Sequence, residues 1–303
     1  MEKSDLFPEQ IIHWLRAWPV QPMLFHRPES TFPFIQITRP GQKSLVLHLI
    51  DLRGWQALDP ALAGIKFSNV SQVLKNQGFD FVTLWEDVWR SRLPIVESRL
   101  EALLGFSQRI PARLTRVRRL DQPTAAAFLA ENHLQAGVQA KYKYGMYLPQ
   151  RYYRVLAPDF SEKLNLQPEE LLVGVATFSN PRTFRRSGQP FRSFEMVRFA
   201  NLLGTTVVGG LDKLLNAFNK EMQPDDIMTY ADLDWSAGRS YERLGFVATG
   251  DTPPHELWLD LNGLHRYPPG RLPAGITPDI APSHGFLKIY TSGSRKFVKQ
   301  SRP

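Results

Sequence analysis

The stretch SFEMVRFANLLGTTVVGGLDKLLNAFNKEMQPDDIMTYADLDWSAGRSYERLGF, residues 193–246, decides the fold. Its first segment, SFEMVRFAN (193–201), reads as a strand. TTVVGG then brings Gly209 and Gly210 to the junction with an amphipathic helix, LDKLLNAFNKE (211–221). DDIMTYADL (225–233) is a further strand, and a helix from about Ser236 to Leu244 stops at Gly245. Strand, glycine turn, helix and strand in that order is the pattern of an α/β sheet with helices packed on it. The glycine pair has two readings. It is a tight turn, or a helix start whose exposed N–H groups suit a pyrophosphate. Gly210 is expected at a positive φ.

Outward from this core, ELLVGVATFS (170–179) is a strand, and a loop carrying Arg182, Arg185 and Arg186 joins it to 193–201. VATGDTPPHELWLDL (247–261) closes the unit as a hairpin-like pair. Upstream, Asp121-Gln-Pro-Thr opens the helix TAAAFLAENHL, with Pro123 suited to its first turn. RIPARLTRVRR (109–119) holds five arginines and no acid; its alternation fits a strand. That strand is a solvated face or a phosphate-contacting strip, with Arg113, Arg116 and Arg118 as the candidate contacts.

The first hundred residues form a separate small α/β block. A helix over 6–20, strands 33–39 and 43–52 joined at Pro40–Gly41, a helix over 67–78, a strand over 80–88 and a helix from Pro94 to Leu104 are expected. The last forty residues are rich in Pro and Gly and then basic: from Ser283 on there are five Lys or Arg and no acid. The expected division is therefore an α/β module over 1–110, a mixed-sheet α/β domain over 111–262 and a basic tail over 263–303, an α+β organisation overall.

Composition narrows the function classes. A hydrophobic share of 43% excludes whole-chain disorder, and no apolar run is long enough for a membrane helix. MEKSDLFPEQ has no basic patch followed by an apolar run, so no signal peptide is expected. The absence of cysteine removes disulfides, thiolate metal sites and thiol nucleophiles, and it fits a cytoplasmic protein. A net charge of +8 favours a polyanion partner, DNA or RNA. The seven histidines contain no i, i+4 pair, so no metal is expected.

Several side chains carry candidate chemistry. Asp232 and Asp234 flank Leu233 and so share a strand face, where either is a candidate base or a cation contact. Trp235 stacks a base or packs in the core. Glu195 and Arg198 lie on opposite faces of one strand, with Glu195 the candidate for a cleft. His133, near the end of a helix, reaches a substrate or caps that helix.

The strings VVGGLDKLL (207–215) and DWSAGRSYERLGF (234–246) together resemble the GNAT superfamily of acyl-CoA N-acyltransferases. The later family motif matches at Asp234, Ala237, Tyr241, Gly245 and Phe246, with an acid where the family usually has Asn; the pyrophosphate-loop pattern is imperfect here. The resemblance implies acetyl-CoA or another acyl-CoA as cosubstrate. It places the pyrophosphate on backbone groups within Val207, Val208, Gly209, Gly210, Leu211, Asp212 and Lys213, and makes Tyr241 the proton donor to the departing thiolate. A fuller set of strings resembles a GNAT-like group of phages and mobile elements often described as homing-endonuclease-like. These are ENHLQA (131–136), VGVATF (173–178), EMVRF (195–199), YADLDWSAGRSYERLGF (230–246) and IYTSGSRKF (289–297).

The front block resembles a degenerate nuclease module of the very-short-patch-repair type. The resemblance implies an acidic Mg²⁺ site there, but LVLHLIDLRGW (45–55) keeps only Asp51, with His48 where a second acid would stand; Glu86 and Asp87 follow on the next strand. Three functions follow as expectations: an N-acyltransferase acting on a nucleic acid or a nucleic-acid-linked amine, a DNA-binding nuclease derivative without that activity, and an acetyltransferase of small amines.

Overall fold

The computed structural model describes residues 6–39, 41, 43–58, 80–135, 137, 139–164 and 169–301. The helix expected over 67–78 lies outside the described residues. In chain order the elements begin α1 (Phe7–Leu15), β1 (Gln21–Arg27), β2 (Ser30–Thr38), β3 (Leu45–Ile50), α2 (Leu52–Gln56), β4 (Asp80–Trp85), α3 (Glu86–Ser91) and α4 (Leu93–Leu104). Next come β5 (Gln108–Pro111), β6 (Arg116–Arg119), α5 (Gln122–Asn132), β7 (Tyr142–Pro149), α6 (Pro158–Lys163), β8 (Glu170–Phe178), β9 (Arg182–Arg186) and β10 (Gln189–Asn201). The remainder is β11 (Thr205–Val208), α7 (Gly210–Met222), β12 (Asp226–Asp232), α8 (Arg239–Arg243), β13 (Val247–Asp251), β14 (Glu256–Asp260), β15 (Arg266–Tyr267), β16 (Phe286–Tyr290) and β17 (Ser294–Gln300).

The fold is mixed α/β, divided into two compact units that interleave in sequence. One unit is built from 1–91, 231–239 and 250–295; the other from 92–230, 240–249 and 296–303. These units replace the sequential division expected at 110 and 262. The reason is hydrogen bonding by the last forty residues: β16 pairs with β14 from Phe286 to Tyr290, so this segment is sheet rather than tail.

In the first unit β1, β2 and β3 form an antiparallel meander, and β4 lies parallel to β3. Every residue of β3 is buried, which is why LVLHLI reads as a continuous apolar run instead of alternating. β1, not anticipated from the sequence, is an edge strand with Pro22 near its start, a position that tolerates a missing N–H. Trp55, Trp85, Phe32, Ile50, Leu259 and Ile289 form the core of this unit.

In the second unit the strands β6, β7, β8 and β10 pair antiparallel, and β10 pairs parallel with β12. The expected strand 109–119 is broken into β5 and β6 by a single 3-10 turn, Ala112–Leu114, that follows Pro111. The amphipathic pattern of α7 buries Leu214, Leu215 and Phe218, and Phe218 stacks on Phe178 at 3.9 Å and 8°. Such burial contributes about 1.5–3 kcal/mol per large side chain. α5 buries Ala125, Phe128 and Leu129 against Val175 and Ala200. Val175 and Phe178 are three apart on β8, so α5 and α7 cover opposite faces of the sheet. The helix expected over 236–244 shrinks to α8, because 233–238 is taken up by turns.

Candidate active site

β10 carries an irregularity at its centre. Met196 pairs with Phe178 and Arg198 with Thr177, so Val197 is an extra residue, a bulge. The parallel pairing with β12 runs over Ser193–Glu195 against Asp226–Met228. Beyond it the two strands exchange one side-chain contact, the Thr229 hydroxyl donating to the Met196 carbonyl at 3.0 Å. β11, which follows β10, leaves the large sheet and pairs parallel with β5 instead. Among the described residues the parallel pairing of β10 with β12 thus stops at Glu195 and Met228.

The turn itself differs from expectation in one detail. Gly209, not Gly210, has the positive φ, +76°, and it caps α7 with no side-chain hydrogen bond. Gly210 is the first helical residue and is constrained by packing: a Cβ there would lie 2.8 Å from Met146 Cε and 2.9 Å from Val207 Cβ. The N–H groups at the start of a helix have no partner within it, so Gly210, Leu211 and Asp212 present donors here. Val208 is exposed, whereas Val207 is buried and serves the core. Lys213 Nζ donates to the carbonyls of Ala112 and Thr115. Asp212 accepts from Asn216 Nδ2 and sets a negative charge in the first turn.

Glu195 lines a cavity of about 400 Å³ together with Gln139, Lys141, Ser179, Asn180 and Arg182. Among the described residues its carboxylate has no ion-pair partner. Ser179 fixes its backbone: Glu195 N–H donates to Ser179 Oγ at 3.0 Å, and the Glu195 carbonyl accepts from Ser179 N–H. Tyr241, on α8, packs its ring on Phe246 and Phe297 and hydrogen-bonds through its hydroxyl to Thr229. Burial raises the phenol's pKa, offset in part by that bond and by the charge of Arg99, so the hydroxyl keeps its proton at neutral pH. Met228 is opposite Glu195, and Thr229 follows it. Successive strand residues face opposite ways, so Glu195 and the Tyr241 hydroxyl approach the opening from opposite faces.

His133 is the C-cap of α5, and its Nδ1 meets the main chain of Gln135. Burial first, then Arg198 and Arg99, press its pKa down to about 4. An imidazole this weakly basic is neutral at pH 7 and poorly matched to taking a proton from an amine. Arg99 and Thr229 were not singled out in the sequence, and Arg198 was weighed there only as facing away from Glu195. Arg99 lies on a helix far upstream, and no local pattern distinguishes it from a solvated arginine.

Asp232 and Asp234 do not share a strand face. β12 ends at Asp232, and the chain turns: Asp234 N–H donates to Asp232 Oδ1, and the N–H groups of Trp235 and Ser236 donate to the Asp232 carbonyl. Asp234 is buried and accepts from Ser292 N–H at 2.9 Å; burial and then Asp232 push its pKa up. Trp235 is buried in the core. These residues brace the first unit.

Its other acids are also structural. Asp51 caps α2 through Gly54 N–H at 2.6 Å. Glu86 accepts from Leu52 N–H and pairs with Arg90, and Asp87 makes a bidentate pair with Arg266 at 2.7 and 2.8 Å. His48 stacks on Phe34 at 4.5 Å and bonds Ser30 Oγ, and burial lowers its pKa to about 3. Among the described residues no three His, Asp or Glu side chains are grouped to hold a metal ion.

The two arginine strips part company. Arg116 and Arg118 share the one carboxylate of Glu170, and Arg118 lies over the Tyr147 ring, so that strip is partly neutralised; Arg113 is exposed beside it. Arg182, Arg185 and Arg186, expected in a loop, are on β9, which is exposed along its length. Among the described residues they have no carboxylate partner.

No protein-family model matches the chain, and no curated protein matches it in sequence. Among solved structures it is similar to a chain of the KacTA–DNA complex, at 19% identity over 45% of this chain and 87% of that one, with a TM-score of 0.29. A chain of the NatC complex bound to Gag peptide and CoA aligns at 13% identity, 61% and 98% coverage and a TM-score of 0.32. A structure described as histone acetyltransferase HPA2 and related acetyltransferase, from Corynebacterium glutamicum, aligns at 17% identity, 62% and 98% coverage and 0.31. Likeness at this level assigns neither family nor activity. No described helix is long and apolar enough to cross a membrane.

Proposed function

We propose that the second unit is an acyl-CoA-dependent N-acyltransferase. The observations that carry the reading are the parting of β10 and β12 just past Glu195 and Met228 and, between these two strands in sequence, a helix start at Gly209 with no side-chain cap. Bare N–H groups at that helix start suit a pyrophosphate, and strand edges freed by the parting suit the amides of a pantetheine arm. Acyl-CoA supplies an acyl group activated as a thioester: the acceptor nitrogen bonds to the carbonyl carbon as the carbon–sulfur bond breaks.

The chain's own residues manage the protons. Glu195 accepts the proton that the amine nitrogen loses. The Tyr241 hydroxyl, held neutral by burial, donates to the sulfur leaving on the other face, and positioned proton transfer of this kind contributes about 10²–10⁴-fold. Lys213, His133, Asp232 and Asp234 have no part in the step.

Free-thiol release from acetyl-CoA, followed with a panel of primary amines, tests the reading. Release that needs both amine and protein, and that is lost in Glu195→Gln, is expected. No release with any amine, together with no shift in melting temperature on adding acetyl-CoA, would overturn it.

A further inference from the structure

The charged patch that the proposed chemistry leaves unused is the hairpin formed by β9 and the first half of β10. Its tip is Ser187–Gly188, both at positive φ, and residues 182–190 are exposed. No acid occurs between Glu170 and Glu195 in the sequence, while four arginines do. Arg192 is engaged internally: its guanidinium donates to the Met222 carbonyl. Arg182, Arg185 and Arg186 have no carboxylate partner among the described residues; Arg186 lies over the Phe191 ring, 5.3 Å from its centroid, and Arg185 is on the face opposite to the other two.

The register orders these side chains. Arg182 pairs with Ser193, Phe184 with Phe191 and Arg186 with Gln189, and directly opposed residues of an antiparallel pair share a face. One face therefore reads, from tip to base, Arg186, then Phe184 and Phe191 with rings 5.1 Å apart, then Arg182 and Ser193. Two residues further along β10 the same alternation reaches Glu195, and Arg182, Ser193 and Glu195 all line the 400 Å³ cavity. From the Phe184/Phe191 pair to Glu195 is four residues, about 13 Å.

We infer that this face is a track for single-stranded nucleic acid that ends in the Glu195 cavity, so that the acceptor amine is carried on a nucleotide. Arginines spaced along a ribbon match successive phosphates, and an aromatic ring half open to solvent, as Phe184 is at 49%, gives an unpaired base a surface to stack on. A paired base in duplex offers only its edges. An acidic peptide would use the arginines and leave the ring idle. The amide side chains of Gln139 and Asn180, with Lys141, give the cavity donors and acceptors that a nucleotide can meet. The last step of this inference rests on the acyltransferase reading; the binding does not.

The test is fluorescence anisotropy of a labelled single-stranded oligonucleotide over a salt series, with duplex of the same sequence and polyglutamate as competitors. Arg186→Ala should lower the log–log salt slope by about 0.7, and Phe184→Ala should weaken binding about 5- to 100-fold with little change in slope. Melting temperature should be unchanged in both variants, since the arm is exposed. Equal competition by duplex or polyglutamate, no effect of Phe184→Ala, or no retention at low salt would overturn the inference while leaving acetyl-CoA binding intact. Oligonucleotide binding as described without acetyl-CoA binding would keep the track and overturn the acyltransferase reading. With an amine-bearing oligonucleotide as acceptor, Arg186→Ala should lose kcat/KM against wild type, and with the free nucleoside it should not.

Discussion

Substituting Gly209 separates the backbone demand of the turn from its ligand role. At φ +76° an L side chain is strained, by roughly 1–2 kcal/mol. Space is not the obstacle, because the nearest atom to a new Cβ, Ala112 Cβ, is at 3.7 Å. Gly209→Ala should therefore lower stability by that conformational amount alone, which for a unit of this size is a fall in Tm of about 2–8 °C. Asn visits left-handed backbone more readily, so Gly209→Asn should recover part of the loss. Gly210→Ala should cost about 1–3 kcal/mol by a different route, since its Cβ would overlap Met146 and the buried, β-branched Val207. Denaturant melts give the stabilities, and calorimetric titration with acetyl-CoA gives the binding. Gly209→Ala and Gly209→Asn should both bind at least about 10-fold more weakly, because either side chain stands where phosphate oxygens approach backbone N–H groups. If Gly209→Ala melts like the wild type, or if both variants bind acetyl-CoA as it does, the account of the turn is wrong.

Tyr241→Phe keeps the ring packing on Phe246 and Phe297 and removes the proton, so kcat should fall about 10²–10⁴-fold in single-turnover assays while acetyl-CoA affinity holds. Asp87→Ala leaves the half-buried Arg266 without its bidentate partner and should cost about 2–4 kcal/mol by urea denaturation; a loss under 1 kcal/mol would contradict the pairing. His48 has a folded pKa near 3 against 6.5 unfolded, so below pH 6.5 the unfolded chain binds more protons. Stability from this group is full above pH 6.5 and is lost as pH falls, by up to about 5 kcal/mol near pH 3. The His48 C2 proton resonance should not move between pH 8 and about pH 5, and a midpoint near 6.5 would contradict its burial.

What the sequence revealed follows from what each segment buries. The strand, glycine turn, helix and strand of 193–233 stood out because α7 buries one stripe and β10 is pinned on both sides. β1 escaped notice because an edge strand with one residue in two exposed carries little apolar signal. β9 escaped for the same reason: RTFRR buries nothing, and only its pairing with Gln189–Ser193 makes it a strand. The break at Pro111 hid inside an alternation of arginines that suits a strand on either side of it. Of the proposed site, Tyr241, Glu195 and the glycine turn were legible in the sequence. Their neighbours Arg99 and Thr229 were not, since tertiary packing alone brings them there. Asp232 and Asp234 misled because a spacing of two means a shared face only while the strand lasts, and this one ends at Asp232.

The central claim is that an acyl-CoA binds through the backbone of the β11–α7 turn, and amide hydrogen exchange followed by mass spectrometry with and without saturating acetyl-CoA tests it most directly. Peptides covering Val207–Lys213 should exchange more slowly with the ligand, as should those covering Met196–Asn201 on the parted edge of β10, while β1–β4 should exchange as before. Unchanged exchange over Val207–Lys213 at saturation, or protection confined to other segments, would contradict the account.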